Sequence, residues 1–292
     1  MNNNKGKTIK ISCYEIYKNK KIGMGNFSQI YLGKCLNANI IKKNYIPEDG
    51  SVAVKILSLS NFDNAIKEKI RDEILIMQMI KKNPHTNIVN CYDVIDSGEF
   101  VYIFMEYCNG GDLNNLLGRP FDEKIAKKYL FQIVNGLSHL YNNNIIHGDI
   151  KPKNVLITNN KDTLKICDFG LSIILNSKKD ENMCIDTNIL YGSPLYMAPE
   201  LFNNNLYDYA IDIWSTGLIL YEMIFGYHPL IYCNDIIELK KYILNNDISI
   251  PKTNISSDCK NILKLLLDKN DKNRIKIKDI LKHRWFKINY DC

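Results

Sequence analysis

Residues 147–154, His-Gly-Asp-Ile-Lys-Pro-Lys-Asn, and residues 168–170, Asp-Phe-Gly, decide the fold of this chain. The largely apolar segments 155–157 and 164–166 lie between them and predict two short strands. Asn154 and Asp168 offer oxygen ligands of the kind that Mg²⁺ prefers. Asp-Phe-Gly alone is common by chance, but the two segments in this order form a highly specific pattern.

A glycine-containing turn lies near the start of the chain, where residues 23–31 read Gly-Met-Gly-Asn-Phe-Ser-Gln-Ile-Tyr. Glycines between two strands let backbone N–H groups approach phosphate groups closely. The third glycine of the usual pattern is replaced by Ser28. By itself this turn is therefore weak evidence for a phosphate site.

Lys55 lies inside the apolar segment 52–57, which predicts a strand. A lysine in such a strand is costly unless its ammonium group has an anionic partner. We predict that this partner is Glu73, on a helix predicted over residues 65–81, with phosphate groups as a second anion. The alternative, a lysine facing solvent on an edge strand, would be favoured if the other motifs were absent.

Taken together, these motifs resemble those of the eukaryotic-type protein kinase superfamily, from Tyr14 to Phe286. The resemblance implies an α+β, bilobal protein kinase fold. A small N-terminal antiparallel β lobe with one key helix, at about 14–108, would precede a larger, mainly helical C-terminal lobe at about 109–292. Residues 1–13 are expected to be a flexible N-terminus.

The element pattern agrees with this division of the chain. Residues 17–23, 29–34 and 52–57 predict strands, and residues 37–50 predict an enlarged hairpin loop between the last two. In the second part, apolar residues at helical spacing predict helices over residues 126–141, 211–225, 257–267 and 277–283.

The resemblance also implies ATP and Mg²⁺ as cofactors and assigns residues to them. Asp149 would orient the attacking hydroxyl group and accept its proton, while Lys151 would neutralise the γ-phosphate. Asn154 and Asp168 would hold Mg²⁺. The other residues expected to bind ATP are Ile22, Gly23, Met24, Gly25, Asn26, Phe27, Ser28, Ile30, Ala53, Lys55, Glu73, Met105, Glu106, Cys108 and Leu156.

Within that set, the resemblance distinguishes several roles at the adenine base. Ile30, Ala53 and Leu156 would sandwich the base, and Met105 would be the gatekeeper. The backbone of residues 106 and 108 would hydrogen-bond to the edge of the base.

Two further family positions are structural, and two indicate the class of substrate. Asp212 would anchor the catalytic loop, and Arg274 would pair with Glu200. Lys151-Pro152 and residues 192–197, Gly-Ser-Pro-Leu-Tyr-Met, resemble Ser/Thr kinases rather than tyrosine kinases. The resemblance therefore implies protein substrates with Ser or Thr acceptors.

A narrower resemblance and one departure concern regulation. Residues 105–113 and 192–200 are similar to the ULK family of autophagy-initiating kinases. Most kinases have an arginine at the position of Gly148, where it binds a phosphate on the activation loop. The threonine expected three residues before Gly192 is replaced by Ile189, and the nearest threonine is Thr187. We therefore predict activity that is independent of activation-loop phosphorylation.

Two alternatives remain beside this interpretation. The His-Gly-Asp sequence is also found in aminoglycoside and choline phosphotransferases, but these lack the Lys-Pro and Ala-Pro-Glu segments present at 151–152 and 198–200. A catalytically inactive pseudokinase would normally lack one of the key polar residues, and this chain retains Lys55, Glu73, Asp149, Asn154 and Asp168.

Composition excludes several other classes of protein. The 292 residues carry a net charge of +6 without a run of five like charges, which indicates neither nucleic acid nor a membrane surface as partner. The nine cysteines include no C-x-x-C pair, which disfavours a disulfide framework or zinc site. We expect a monomer without a signal peptide or a membrane span. We expect it in the cytoplasm, or in the host cytoplasm if the protein is viral, and a nuclear location remains open.

Overall fold

The computed structural model of the chain describes residues 8–25, 28–59, 64–158, 163–175, 194–203, 208–252 and 254–287. The chain divides into two compact units, Met1–Asn109 and Gly110–Cys292. Among the described residues, none of the helices has the length and apolar character needed to cross a membrane.

The described part of the first unit is built on a six-stranded antiparallel sheet with the strand order β1-β2-β3-β4-β6-β5. Neighbouring strands in this order pair in antiparallel register. Within each strand, successive side chains point to opposite faces of the sheet. The strands are β1 (Thr8–Ile11), β2 (Tyr14–Met24), β3 (Ser28–Cys35), β4 (Ser51–Ser58), β5 (Cys91–Asp96) and β6 (Phe100–Met105).

Two helices lie between these strands in sequence, α1 (Ala38–Asn44) and α2 (Asn64–Lys82). Helix α2 packs against β5 and buries Ile70, Ile76 and Met77 along one face. Its bounds agree with the helix predicted over residues 65–81.

The strand β1 shows that residues 8–11, part of the segment expected to be a flexible N-terminus, belong to the sheet, whereas residues 1–7 lie outside the described residues. Thr8 pairs with Tyr17 and Ile11 pairs with Tyr14, so the strand extends the edge of the sheet. Ile9 and Ile11 pack against a buried apolar cluster that contains Tyr14. The pattern Thr-Ile-Lys-Ile places an apolar side chain at every second position, which is why this short segment forms a strand.

Helix α1 corrects the prediction of an enlarged hairpin loop over residues 37–50. The Asn37 side-chain oxygen accepts hydrogen bonds from Asn39 N–H at 3.0 Å and Ile40 N–H at 3.3 Å, which caps the helix. Ile40 and Ile41 then pack against the same apolar cluster. A short helix with only a few apolar residues has almost no periodic signal in sequence, so burial by the sheet decides its structure.

The described part of the second unit is mainly helical. Helix α5 is its buried centre, and every side chain from Ala210 to Phe225 is buried. The helices are α3 (Glu123–Asn142), α4 (Pro199–Phe202), α5 (Ala210–Phe225), α6 (Ile236–Asn245), α7 (Ser257–Leu266), α8 (Ile277–Ile280) and α9 (Arg284–Lys287).

The predicted helices over 126–141, 211–225 and 257–267 correspond to α3, α5 and α7. The helix predicted over 277–283 is wrong at its end, since α8 stops at Ile280 and α9 begins at Arg284. His283 lies in the turn between them, where its Nδ1 accepts a hydrogen bond from Trp285 N–H at 3.1 Å.

Two small antiparallel sheets complete the second unit. They pair β7 (Ile145–Ile146) with β10 (Ile173–Ile174), and β8 (Val155–Thr158) with β9 (Thr163–Ile166). The segments between these strands contain residues 147–154 and 168–170, so the two sheets position both motifs.

Candidate active site

The loop that follows β7 is fixed by a buried carboxylate on α5. The two oxygens of Asp212 accept hydrogen bonds from His147 N–H at 2.8 Å and Gly148 N–H at 2.9 Å. Burial raises the pKa of Asp212, while His147 and these two N–H groups favour the ionised form. The predicted anchoring of the catalytic loop by Asp212 is present in the structure.

Gly148 has a conformation that favours glycine. Its φ is +77°, in the left-handed region, and an added Cβ would lie 2.7 Å from the carbonyl oxygen of Leu171. Any other side chain would strain the backbone and displace that carbonyl group. The glycine that replaces the usual arginine is therefore also the residue that this loop accommodates with least strain.

His147 supports the loop through packing and hydrogen bonds. Its ring lies 5.3 Å from the Phe169 ring, and its Nε2 lies 3.0 Å from the Cys167 carbonyl oxygen. The sequence analysis missed Ser172, whose buried hydroxyl group donates to the His147 carbonyl oxygen at 2.8 Å. A single serine has no distinguishing signal in one sequence.

The Asp149 carboxylate is held by two neighbours. The Lys151 ammonium group donates to Asp149 Oδ2 at 2.6 Å, and the Asn154 amide donates to the same oxygen at 2.9 Å. The Asn154 amide also donates to the Asp149 carbonyl oxygen at 2.8 Å. The structure therefore brings together three of the predicted site residues, with the carboxylate in one fixed orientation.

Asn154 and Asp168 lie at the same end of the β8–β9 sheet. Asn154 directly precedes β8 and Asp168 follows β9 by two residues, and Cys167 N–H donates to the Asn154 carbonyl oxygen at 3.0 Å. Asp168 is exposed and has φ of +65°, which is uncommon for a residue with a side chain. Such strained residues cluster at functional sites.

The donors at this place fit Mg²⁺ in chemistry and number. Asn154 uses its amide N–H₂ group toward Asp149, and its amide oxygen is an atom of the kind that can bind a metal ion, as is the Asp168 carboxylate. In the part of the chain that the structure describes, no group of three or more His, Cys, Asp or Glu residues could hold a metal. Mg²⁺ typically binds one or two protein oxygens together with phosphate and water.

In the first unit, the predicted Lys55–Glu73 pair is present. The Lys55 ammonium group donates to Glu73 Oε1, and both side chains are buried. Lys55 lies on β4 between Ile30 of β3 and Ile103 of β6, whereas Glu73 comes from α2. Removing either charge would leave the other one buried without a counter-charge, so the pair is stable only when both charged groups are present.

The glycine-containing turn joins β2 to β3. Gly23 pairs with Ile30, and Gly25 N–H donates to the Ser28 carbonyl oxygen at 2.9 Å. A Cβ on Gly25 would lie 2.8 Å from Ser28 Oγ, so a side chain there would force this serine to move. Met24 is 76% exposed and Ile22 is 45% exposed. The predicted residues Asn26 and Phe27 lie outside the described residues.

The predicted adenine-binding residues lie at the ends of strands. Ala53 on β4 is buried and pairs with Met105, the last residue of β6. Glu106 N–H donates to the Asn90 carbonyl oxygen at 2.9 Å, so this N–H group of the predicted adenine edge is already engaged within the sheet. Cys108 follows, and it is half-buried.

Leu156 belongs to the second unit and lies on β8, where it pairs with Lys165. It is half-buried and also forms an isolated bridge to Asp112.

The segment that follows the acceptor loop is joined firmly to the helical core. Arg274 donates to both carboxylate oxygens of Glu200, at 2.7 and 3.0 Å, as predicted. The Tyr196 hydroxyl donates to Glu222 Oε1 at 2.5 Å, a contact that the sequence does not reveal. Thr187, Ile189, Gly192 and Ser193 lie outside the described residues.

The family of this chain follows from comparison with known proteins. The model of the protein kinase domain family matches residues 16–286. This chain belongs to the protein kinase family. The match confirms the predicted bilobal α+β protein kinase fold and the resemblance from which it was inferred.

Similar proteins are named as Ser/Thr kinases. The chain is 36% identical over 294 residues to a serine/threonine-protein kinase of Acanthamoeba polyphaga mimivirus, covering 91% of this chain and 61% of that protein. The chain is 33% identical over 279 residues to serine/threonine-protein kinase atg1 of Dictyostelium discoideum, and the match covers 92% of this chain and 39% of that protein. The chain is also 33% identical over 278 residues to mouse serine/threonine-protein kinase ULK3, and the match covers 93% of this chain and 54% of that protein.

These relatives confirm the predicted likeness to Ser/Thr protein kinases, including members of the ULK and Atg1 group. The chain spans between 39% and 61% of the length of the three relatives.

Proposed function

We propose that this kinase domain transfers the γ-phosphate of ATP to Ser and Thr hydroxyl groups of proteins. The observation that carries this proposal is the fixed Asp149 carboxylate, with Lys151 2.6 Å and Asn154 2.9 Å from the same oxygen. A carboxylate held in this way can orient a substrate hydroxyl group and accept its proton. The adjacent ammonium group can neutralise charge on the transferred phosphoryl group.

Asn154 and Asp168 are the residues that would hold Mg²⁺ beside this carboxylate. Both supply oxygen atoms, and hydrogen bonds around the β8–β9 sheet fix the backbone that carries them. When bound, Mg²⁺ supplies positive charge that offsets the negative charge of the phosphate groups.

The first unit, taken by itself, contains two groups suited to bind nucleotide phosphates. The buried Lys55 ammonium group, oriented by Glu73, is suited to bind the α- and β-phosphates as a positive charge. The β2–β3 turn with Gly23 and Gly25 is suited to lie close to phosphate groups, since no side chain at those two positions obstructs the backbone.

The preference for Ser and Thr is supported by Lys151 and Pro152, which match the Ser/Thr pattern, and Lys151 donates to the Asp149 carboxylate. We also propose a cytoplasmic location, since the nine scattered cysteines of the sequence lack the regular spacing of a disulfide framework.

The decisive experiment measures phosphate transfer from ATP to casein or myelin basic protein. Asp149→Asn should lower the rate by about 10²–10⁴-fold, because it removes the proton acceptor. The control is Asp247→Asn, which makes the same change at an exposed residue and should leave the rate unchanged. Equal rates for the wild type and Asp149→Asn would refute the proposal.

We further propose that activity does not depend on phosphorylation of the activation loop. Gly148 supports this, because it provides no cation for a phosphate and its φ of +77° disfavours a larger side chain. The Thr187→Ala variant and phosphatase-treated wild type should both keep at least half of the untreated rate. A collapse of the rate in either sample would contradict the proposal.

A further inference from the structure

Cys13 and Cys35 are neighbours at one corner of the six-stranded sheet. Cys13 lies in the turn between β1 and β2, and Cys35 is the last residue of β3. Tyr14, which follows Cys13, pairs with Cys35, and Leu36 N–H donates to the Cys13 carbonyl oxygen at 2.8 Å. The backbone therefore holds the two cysteines beside each other, although they lie far apart in the sequence.

The spacing of the two backbone segments fits a disulfide bond. Cys35 N–H donates to the Gly50 carbonyl oxygen at 2.7 Å, away from β2, so Tyr14 and Cys35 form the narrow type of antiparallel pair. The Cα atoms of such a pair are about 4.5 Å apart, and Cys13 lies about 3.4 Å further along the chain. Together these values give a Cα distance of roughly 5.6 Å between Cys13 and Cys35, within the range of about 4.4–6.8 Å that disulfides span.

The two thiol groups are also in contact. Cys13 is the second residue of a two-residue turn in which Ser12 has φ of +53°, so the alternation of side chains along a strand does not fix its direction. The Cys13 thiol forms a hydrogen bond with the Cys35 thiol. Burial and the nearby Cys35 thiol raise the pKa of Cys13, whereas the Ser12 hydroxyl group lowers it. A sulfur–sulfur bond therefore requires rotation of the side chains but no rearrangement of the sheet.

The two thiols differ in exposure, which gives each of them a different role. Cys13 is half-buried, whereas Cys35 is 1% exposed. Cys35 Sγ also donates to the Asn37 carbonyl oxygen at 3.8 Å, which orients its side chain. A small oxidant can therefore reach Cys13 first, and Cys35 lies where it can attack the oxidised Cys13. Redox-sensitive cysteines are often accompanied by a second thiol that resolves the first oxidation product in this way.

We propose that Cys13 and Cys35 form a reversible disulfide when the protein meets a low-molecular-weight disulfide, for which oxidised glutathione is the probe. Cys13 loses its proton to solvent and attacks one sulfur of oxidised glutathione, whose S–S bond breaks and releases one glutathione thiolate. Cys35 then loses its proton and attacks the Cys13 sulfur, which forms the Cys13–Cys35 bond and releases the second glutathione thiolate. The two cysteines lose two electrons, and oxidised glutathione gains them and takes up the two protons as two glutathione thiols.

The disulfide would close a loop that runs from Cys13 to Cys35 and includes the glycine-containing turn. A closed loop lowers the conformational entropy of the unfolded chain and so stabilises the folded state. In a reducing compartment, bonds of this kind form transiently and respond to oxidation. The stability of the first unit would therefore depend on redox conditions, whether or not the domain is an active kinase.

The first test is a peptide map of the oxidised protein. The folded wild type is incubated with oxidised glutathione at mildly alkaline pH, because the raised pKa of Cys13 keeps its thiolate scarce at neutral pH. It is then denatured with an alkylating agent present and cleaved with trypsin without reduction. Residues 11–18 and 35–42 form two tryptic peptides with one cysteine each, and they should be the most abundant disulfide-linked pair.

Two results of the map would overturn the proposal. One is a map in which another pair of cysteines dominates. The other is a Cys13 that keeps its bound glutathione while Cys35 is alkylated, which would show that Cys35 does not reach the Cys13 sulfur.

The second test is thermal unfolding of the same samples. Oxidation should raise the Tm of the wild type by about 5 °C, because it closes the loop in a chain of this length, and a thiol reductant should reverse the rise. Cys13→Ser should abolish both the linked pair and the rise, and Cys13→Ala, which adds no hydroxyl group, should do the same. The matched control is Cys233→Ser, which changes another half-buried cysteine outside the sheet and should keep both. An equal rise in the wild type and in the Cys13 variants would refute the assignment, and a linked pair without any rise would refute its stabilising role.

Discussion

The buried pair of Arg274 and Glu200 provides a quantitative prediction. Arg274 is 1% exposed and Glu200 is 5% exposed, and two hydrogen bonds of 2.7 and 3.0 Å join them. Glu200→Gln keeps the size and shape of the side chain but removes its negative charge. The guanidinium group would then be a buried cation without its counter-charge.

The expected loss in the free energy of unfolding depends on the contacts that Arg274 keeps in this variant. Its side chain still donates to the carbonyl oxygens of Asp268 at 2.9 Å and Ala210 at 2.8 Å, and it lies 5.2 Å from the Trp214 ring. Breaking a buried pair typically costs about 3–5 kcal/mol. Because these other contacts and one glutamine hydrogen bond remain, we expect about 3 kcal/mol, which corresponds to a fall in Tm of about 5 °C for a chain of this length.

Thermal unfolding of the wild type and the variant measures this loss. The control is Asp279→Asn, which removes the charge from an exposed pair with Lys282, whose side chains are 46% and 69% exposed. Surface pairs contribute about 0–1 kcal/mol, so this control should change Tm by no more than about 2 °C. A Glu200→Gln variant that unfolds at the same temperature as the control would refute the reasoning.

Two further predictions concern other buried polar groups. The buried Tyr14 hydroxyl group has no hydrogen-bond partner among the described residues, so Tyr14→Phe should leave Tm unchanged or raise it; a fall of more than about 4 °C would contradict this. Burial raises the pKa of Glu222 from 4.5 to about 7. The folded state therefore binds the proton of this carboxyl group more tightly than the unfolded state does. As a result, the free energy of unfolding falls by up to about 3 kcal/mol as the pH rises between those two values. Glu222→Gln should remove this decline in urea unfolding at pH 5 and pH 8, and an identical pH dependence in both proteins would refute it.

The longer elements of the fold were predictable because their residues repeat a pattern. Helices α2, α3 and α5 each present a long apolar face or an apolar interior, and their predicted bounds differ from the observed ones by at most three residues. The first strand, Thr8–Ile11, and the helix Ala38–Asn44 were missed because each is too short to repeat a pattern. Both are ordered by the apolar cluster against which they pack.

The candidate site was predictable where a residue type is rare in its setting. Lys55 in an apolar strand required an anion, and the structure supplies Glu73. Hydrogen bonds from hydroxyl groups were not predictable, because serine and tyrosine are common and their partners lie far away in sequence. The Tyr196–Glu222 contact joins residues 26 positions apart, and the Ser172–His147 contact joins residues 25 positions apart.

The sequence by itself determined the identity and order of the chemical groups from His147 to Asp168, because the carboxylate, ammonium and amide groups are properties of the residues. The tertiary structure alone decided how they are oriented. Asp212, 64 residues beyond Gly148 in the chain, holds that glycine by its N–H group, and the loop there adopts φ of +77°. The sequence indicates only that an arginine is missing; the backbone conformation, set by this distant carboxylate and the nearby Leu171 carbonyl group, gives the physical reason that a glycine fits there.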